Sequence, residues 1–229
     1  MLGGRVRLVQ PAEGLRAAVD AVLLAAAVPA RAGDAVLELG CGTGAAFLCL
    51  AARVPGIFVT AVELDPALAG LAQGNAARAG VSGTILAQDI RVAVPPCRHA
   101  FANPPYWPGG TASPHAGRRN AAHEADTGLQ DWAKAMAQGL EWRGTATLVL
   151  PAQRFSLGAA ALRAAGCGSV SLLPLWPRAG QPAKRVILQA IKGGRGPDRM
   201  LPGLVLHQAD GGFTPEAEAV LRHAQPLSG

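Results

Sequence analysis

Four consecutive residues near the middle of the chain, Asn103-Pro104-Pro105-Tyr106, combine groups that could hold a planar amine. Each proline ring fixes φ and removes an amide N–H, so the turn offers a side-chain amide and backbone carbonyls as acceptors, with an aromatic ring beside them. Adenine is the obvious ligand, because flipped bases are read by hydrogen bonds at their edges and by stacking. Acceptors on both N–H bonds of its amino group would free the nitrogen lone pair for attack. For the tetrapeptide alone, a proline-rich turn with one packing aromatic remains the alternative.

A glycine-rich stretch lies between a predicted strand and a predicted helix. The strand covers residues 35–39, Gly40-Cys41-Gly42-Thr43-Gly44 follows at once, and the helix runs to about Val54. Glycines in this position let a ligand approach the backbone closely. The G-x-G-x-G spacing differs from the G-x-G-x-x-G of dinucleotide-binding enzymes.

Polar side chains end the next three predicted strands. The strand over 57–62 ends at Glu63, whose carboxylate can accept both hydroxyls of a ribose. The strand over 84–87 is followed by Gln88-Asp89-Ile90, and an aspartate there could accept a hydrogen bond from an adenine amino group. A fourth strand carries Asn103 at its tip. Chemistry in open α/β sheets gathers at the carboxyl ends of strands, so the four positions predict one site.

The elements that position these residues alternate between strand and helix, which predicts an α/β fold with a doubly wound, Rossmann-like, seven-stranded sheet. The remaining predicted strands are 145–150, 170–175 and 185–191. Residues 3–11 are predicted to form a short strand or an extended arm, and 15–28 a buried helix. Thr214 is predicted to cap a short C-terminal helix.

Composition narrows the classes of protein. The 229 residues carry a net charge of +6, which weakly favours a polyanionic partner. Four scattered cysteines with no C-x-x-C argue against a zinc site or a disulfide framework and suit a reducing, cytoplasmic location. A basic start before an apolar run loosely imitates a signal peptide, but Glu13 and Asp20 interrupt it. No apolar run is long enough to span a membrane. Oligomeric state is left open.

Two features have open alternatives at this level. Asp20, in the apolar helix, needs a partner, and either a salt bridge or cap or contact with a ligand amine would supply one. Residues 107–127 form a polar loop of the kind that acts as a lid or binding loop or is disordered. His115, His123 and Glu124 in this loop could contact substrate, although solvation is the commoner state of a loop histidine.

The residues 38–44 resemble the first motif of class I S-adenosylmethionine (SAM) methyltransferases, and Asn103-Pro104-Pro105-Tyr106 resembles the fourth motif of their amino-methylating branch. More closely, the chain resembles the bacterial tRNA1(Val) adenine-37 N6-methyltransferase family, through Asp20-Ala21-Val22-Leu23-Leu24, residues 182–192 and residues 201–204. The resemblance therefore covers nearly the whole chain.

The resemblance implies a site. Gly40, Gly42 and Gly44 would border the methionine half of SAM, Glu63 would take the ribose hydroxyls, and Asp89 with Ile90 would take the SAM adenine. Asn103, the Pro104 carbonyl and Tyr106 would hold the target base, and no metal is required. The full set of implied cofactor-binding residues is Asp20, Glu38, Gly40, Cys41, Gly42, Gly44, Glu63, Leu64, Asp89, Ile90 and Asn103, and the implied catalytic residues are Asn103, Pro104, Pro105 and Tyr106.

The same interpretation gives one methyltransferase domain: an N-terminal arm and helix (1–34), a catalytic core (35–192) and a tail (193–229). Between residues 178 and 199, six basic residues face one acidic residue, a local charge of +5. This segment is predicted to hold RNA through Arg178, Lys184 and Arg185, since arginine binds phosphate through a bidentate fork. A solvated basic surface is the alternative.

Other functions share the motifs. The Asn-Pro-Pro-Tyr turn also occurs in enzymes that methylate a glutamine amide of release factors, which usually carry a helical N-terminal domain; about 34 residues here are too few for one. Adenine methylation of DNA and guanine methylation of ribosomal RNA are further alternatives. A SAM-binding scaffold without activity is the alternative outside enzymes.

Overall fold

The computed structural model describes residues 1–12, 19–105 and 128–227. Its strands are β1 (Ala35–Leu39), β2 (Phe58–Glu63), β3 (Gly83–Ala87), β4 (Cys97–Ala102), β5 (Leu140–Pro151), β6 (Cys167–Arg178), β7 (Arg185–Lys192), β8 (Arg199–Met200) and β9 (Leu204–His207). Its α-helices are α1 (Val19–Ala27), α2 (Ala45–Arg53), α3 (Pro66–Ala79), α4 (Leu129–Gly139), α5 (Phe155–Ala164) and α6 (Pro215–His223), with 3-10 turns at Leu2–Gly4 and Ala152–Arg154.

All nine described strands join one mixed sheet in the order β3-β2-β1-β4-β5-β7-β6-β8, with β9 beside β6. Strands β1 to β5 are parallel to one another, whereas β7 is antiparallel to both β5 and β6. The predicted α/β fold is confirmed, and the seven predicted strands are all present. The short strands β8 and β9 were not predicted, because they add only two and three residue pairs with β6 in a Pro- and Gly-punctuated stretch.

Helices cover both faces of the sheet, as a doubly wound fold requires. Along β1, Val36 packs into a core with α1, α2, α3 and α6, while Leu37 packs into a second core with α4 and α5. Phe101 and Ala102 of β4 divide between the same two cores. Strand side chains point alternately to opposite faces, so these continuous apolar strands serve two helical layers.

The chain ends differ in part from the sequence-based expectation. Of the two alternatives for residues 3–11, the strand is wrong: Leu2–Gly4 form a 3-10 turn in which Gly3 and Gly4 have φ of 61° and 94°. The predicted cap of α6 is confirmed, since the Thr214 hydroxyl accepts a hydrogen bond from the Ala217 N–H at 3.1 Å. Residues 13–18, where the N-terminal helix was predicted to begin, lie outside the described residues.

Candidate active site

The sheet register brings the predicted site residues to one level. Leu39 of β1 lies beside Val62 of β2 and Ala102 of β4, so the residues that follow them, Gly40, Glu63 and Asn103, leave the sheet at the same edge. On the other side of β2, Glu63 pairs with Ala87, two positions before Asp89. The convergence expected from consecutive strand ends is therefore present in the described structure.

The glycine-rich loop adopts a backbone that side chains would oppose. Gly40, Gly42 and Gly44 have φ of 65°, 55° and 92°, all in the left-handed region. A Cβ on Gly40 would lie 2.6 Å from Cη2 of Trp132, and one on Gly44 would lie 2.5 Å from the Phe47 ring. A Cβ on Gly42 would meet no atom of the described residues within 4 Å, its chain neighbours aside. Gly42 thus faces open space, where a ligand could lie against the backbone.

These glycines should respond differently to alanine. Gly40→Ala combines left-handed strain of about 1–2 kcal/mol with a collision against buried Trp132, so its melting temperature should fall clearly. Gly42→Ala meets strain alone and should lose less stability, but its new methyl group should lower affinity for a ligand held against the loop. Thermal unfolding and calorimetric titration of both variants, with SAM as the ligand, would test this. Equal ligand affinity in the two variants would contradict it.

Glu38, on β1, connects the strand before the glycine-rich loop to the helix after it. It is 4% exposed, and its Oε2 accepts a hydrogen bond from the Phe47 N–H at 2.8 Å, in the first turn of α2. Burial raises the pKa of Glu38 well above its usual range; the Phe47 N–H lowers it, and nearby Glu63 raises it further. Its described contact is structural, and its predicted place in cofactor binding stays a prediction.

Glu63 ties the end of β2 to the loop. Its Oε2 accepts from the Gly42 N–H at 2.8 Å and its Oε1 from the Asp65 N–H at 3.0 Å. Burial raises the pKa of this carboxyl, and the two N–H donors oppose the rise. A carboxylate has about four acceptor sites, so acceptor capacity remains for a hydroxyl group beside the backbone N–H groups of Gly42, Asp65 and Leu64. Half-buried Leu64 follows directly.

The predicted adenine pocket lies after β3. Both oxygens of Asp89 are engaged by Arg91, at 2.9 Å from Nε and 2.7 Å from Nη2. Ile90 is partly buried against the core shared with α4 and α5. The side-chain nitrogen of the preceding Gln88 is buried without a hydrogen-bond partner among the described residues.

The turn after β4 begins as predicted. Asn103 is half-buried, Pro104 is buried and Pro105 is half-buried. Tyr106 lies outside the described residues, as do the loop 107–127 and its His115, His123 and Glu124. Cys41, beside the site, has its pKa raised by burial, with Glu38 and Glu63 adding to the rise, so its thiol stays protonated and is no nucleophile at neutral pH.

Two supporting residues were missed by sequence analysis. Trp132 of α4 packs on Gly40, is 7% exposed, and has an indole N–H without a partner among the described residues. Asn75 of α3 donates from Nδ2 to the carbonyls of Thr43 and Val9, at 3.0 and 2.9 Å, and so fastens the glycine loop to the N-terminal segment. Nothing in the sequence indicated that either residue contacts the loop.

The structure divides the basic segment between opposite edges of the sheet. Arg178 ends β6 and Lys184-Arg185 opens β7, at the edge that carries Asn103. Lys192 ends β7 at the other edge, where its Nζ donates to the Leu140 carbonyl at 2.6 Å, and Arg195 follows it. Strand β7 therefore separates the basic residues of the segment 178–199 into two groups, and the contact of this segment with RNA stays a prediction. Arg178, Lys184 and Arg185 remain on the side of the candidate site.

Asp20 lies with Arg178, Lys184 and Arg185, on the side of the candidate site. Its Oδ2 accepts from Arg185 Nε at 3.1 Å, which is the ion pair among its two alternatives. Its predicted role in cofactor binding stays a prediction, and its described partner belongs to the basic cluster.

A comparison with models of protein families shows the family of the chain. The model of the methyltransferase small domain matches residues 17–131, a stretch that includes β1 to β4 and every strand-end residue above. The chain belongs to this methyltransferase family. It is a SAM-dependent methyltransferase.

Relatives of this methyltransferase agree with the family. A tRNA1(Val) (adenine(37)-N6)-methyltransferase of Shewanella amazonensis is 30% identical over 186 residues, 79% of each protein. One of Bacteroides thetaiotaomicron is 32% identical over 142 residues, 60% of each. Among solved structures, a predicted O-methyltransferase from Agrobacterium tumefaciens superposes with a TM-score of 0.75 at 24% identity, over 92% of this chain and 99% of the other.

The residues present suit SAM. The open face of Gly42 and the remaining acceptor sites of Glu63 offer the loop and the ribose acceptor that this cofactor needs. In the described parts of the chain, no group of three or more His, Cys, Asp or Glu side chains could hold a metal ion. None of the described helices is long and apolar enough to cross a membrane.

Proposed function

We propose that this methyltransferase transfers the methyl group of SAM to N6 of an adenosine in tRNA, at position 37 next to the anticodon. The observation that carries the proposal is the common level of Gly40, Glu63 and Asn103 at one sheet edge. The names of the relatives supply the tRNA and the position. An enzyme of tRNA would act in the cytoplasm.

In this proposal each strand end has one task. Gly40, Gly42 and Gly44 border the methionine half of SAM, and Glu63 accepts from its ribose. Asp89 and Ile90 border its adenine, and Asn103 lies at the reacting end. Residues 35–192 form the catalytic core, flanked by 1–34 and 193–229 within one domain.

SAM, when bound, supplies a methyl group on a positively charged sulfur. The Asn103 side-chain oxygen and the Pro104 carbonyl accept hydrogen bonds from the two N–H groups of the target amine. These bonds free the nitrogen lone pair and orient it toward the methyl group. The new N–C bond forms as the C–S bond breaks, and the amine then loses one proton to solvent. The protein contributes orientation and electrostatics.

Tyr106 is assigned to stacking on the target base. We expect Tyr106→Phe to keep most activity and Tyr106→Ala to lose it, since base stacking contributes roughly 1–3 kcal/mol. Methyl-transfer rates of the two variants at saturating SAM would measure this. Equal loss in both would assign a role to the hydroxyl and remove the stacking assignment.

The substrate is tested by incubating the enzyme with labelled SAM and separate pools of tRNA, ribosomal RNA, DNA and protein. The proposal expects N6-methyladenosine in tRNA at position 37. Label in a protein glutamine, in DNA adenine or in ribosomal guanine would overturn it in favour of the corresponding alternative. SAM binding without methyl transfer to any of these pools would favour the alternative of a SAM-binding scaffold without activity.

A further inference from the structure

A groove of about 360 Å³ opens between the start of α1, the hairpin joining β6 to β7, and β9. Its wall includes the apolar side chains of Leu23, Leu175 and Leu206, and its rim includes Arg178 and Lys184. Pockets for small ligands range from about 300 to 1,000 Å³, so the groove could hold one group the size of a nucleotide.

The groove shares the sheet edge with Asn103. Strand β6 runs parallel to β5, so the end of β6 at Arg178 and the start of β7 at Arg185 lie at the carboxyl edge of β4. From β4 to β6 there are three strand spacings, roughly 14 Å. The segment after β5 lies between them and exposes Phe155 to 46%. An RNA strand with its target base at Asn103 could therefore continue past an exposed aromatic into the groove.

Charge in the groove favours an anion. The one carboxylate of the lining, Asp20, is bound by Arg185 at 3.1 Å. Arg178 and Lys184 make no ion pair with any described residue, so their charges are uncompensated. Both are exposed, as phosphate-binding side chains must be.

The opposite wall of the groove carries a side chain that can form hydrogen bonds with a ligand. His207 of β9 has Nδ1 3.1 Å from the Gly211 carbonyl oxygen, and its ring stacks on Phe213 with centroids 4.9 Å apart. An Nδ1–H that donates to this carbonyl leaves Nε2 as an acceptor for a hydroxyl or a base N–H. The stacked phenyl ring and the bond to Gly211 hold the imidazole in place.

We propose that this groove binds a nucleotide of the substrate RNA that flanks the target base. Its phosphate contacts Arg178 and Lys184, its planar base packs on the partly exposed apolar lining residues Pro177 and Leu206, and His207 accepts from its ribose or base. The proposal rests on RNA being the substrate. An acidic peptide would use the cations but would present no planar base to the apolar wall.

The groove is tested with two kinds of variant and a synthetic anticodon stem–loop RNA that contains the target adenosine. Arg178→Glu with Lys184→Glu reverses the charges, and Gln181→Trp fills the groove from an exposed position in the hairpin. Arg143→Glu is the matched control, an exposed arginine at the start of β5 and so at the opposite edge. Melting temperatures verify folding.

We expect the double reversal to raise KM for the RNA on the order of tenfold or more, with SAM affinity unchanged and Arg143→Glu equal to wild type. The slope of log affinity against log salt should fall by about 0.7–0.9 for each cation removed. Gln181→Trp should weaken RNA binding without changing SAM affinity. If the groove variants and the control had equal KM values for the RNA and equal salt slopes, the proposal that the groove binds RNA would be wrong.

Fluorescence anisotropy of the same RNA separates this result from the proposed function. Wild type that binds the RNA but never methylates it would overturn the proposed function, while the binding of the groove variants still decides the groove. Wild type that methylates the RNA, with groove variants that bind it equally well, would overturn the groove alone.

Discussion

Asn103→Ala should abolish methyl transfer and leave SAM affinity nearly unchanged. Asn103 lies at the carboxyl end of β4, level with Gly40, and its amide oxygen is assigned to the target amine. Loss of a single preorganised hydrogen-bonding group in an active site lowers kcat on the order of a hundredfold to a thousandfold, and here it also removes the group that aims the nucleophile. Single-turnover methyl transfer and calorimetric titration with SAM would measure the two effects separately.

Gln73→Ala is the control for that variant, because it removes an exposed amide of α3 away from the strand ends. It should match wild type in both measurements. If Asn103→Ala lost SAM affinity in proportion to its rate, the residue would belong to the cofactor site and the assignment to the target amine would be wrong.

The sequence predicts the site better than the surface around it. Gly40, Glu63 and Asn103 each follow an apolar strand, and in a parallel sheet the ends of neighbouring strands meet at one edge. Their convergence therefore follows from strand order alone. The cap of α3 was also predictable, since Asp65 precedes a proline and accepts from the Ala67 N–H at 2.8 Å.

Residues that act through packing across the fold could not be predicted. Trp132 lies 92 residues after Gly40, and only the docking of α4 on the sheet brings its ring to the loop. The positions of the basic residues relative to the site could not be predicted for a related reason. Charges that are neighbours in sequence separate when a strand crosses the sheet, and β7 does this between Arg185 and Lys192. Composition gives the charge of a segment but not the edge on which each charge lies.

Glu63→Ala should weaken SAM binding more than the loss of one hydrogen-bonding partner would. Glu63 is assigned to the ribose hydroxyls, and charge-assisted hydrogen bonds contribute on the order of 1.5–3 kcal/mol. The same carboxylate accepts from the Gly42 N–H at 2.8 Å, so its removal also releases the loop that borders the methionine half. Asp65→Ala is the control: it removes a nearby carboxylate, should cost about 1 kcal/mol of stability as a lost helix cap, and should keep SAM affinity.

Glu63 also predicts how SAM binding varies with pH. Burial raises its pKa, so the carboxylate is lost at a higher pH than in an exposed glutamate, whose pKa is about 4.3. Hydroxyl groups donate to the ionised form, so SAM affinity should fall as the pH drops through the raised value. Folding has the opposite sign: the stability contributed by this raised pKa is fully present below the unfolded value and is lost as the pH rises through the folded one.

The pH dependence of SAM binding can be measured without measuring methyl transfer. Calorimetric titration with SAM across the acidic range should show weakening for wild type, and Glu63→Gln should bind weakly with a flatter dependence. Glu38 is the neighbour that could imitate this effect, because burial raises its pKa as well and Glu63 raises it further. Its carboxylate accepts from the Phe47 N–H, and a glutamine oxygen can accept from the same group, so Glu38→Gln should keep the fold and the pH dependence of SAM binding. A dependence that disappeared in Glu38→Gln and persisted in Glu63→Gln would move the ribose contact away from Glu63.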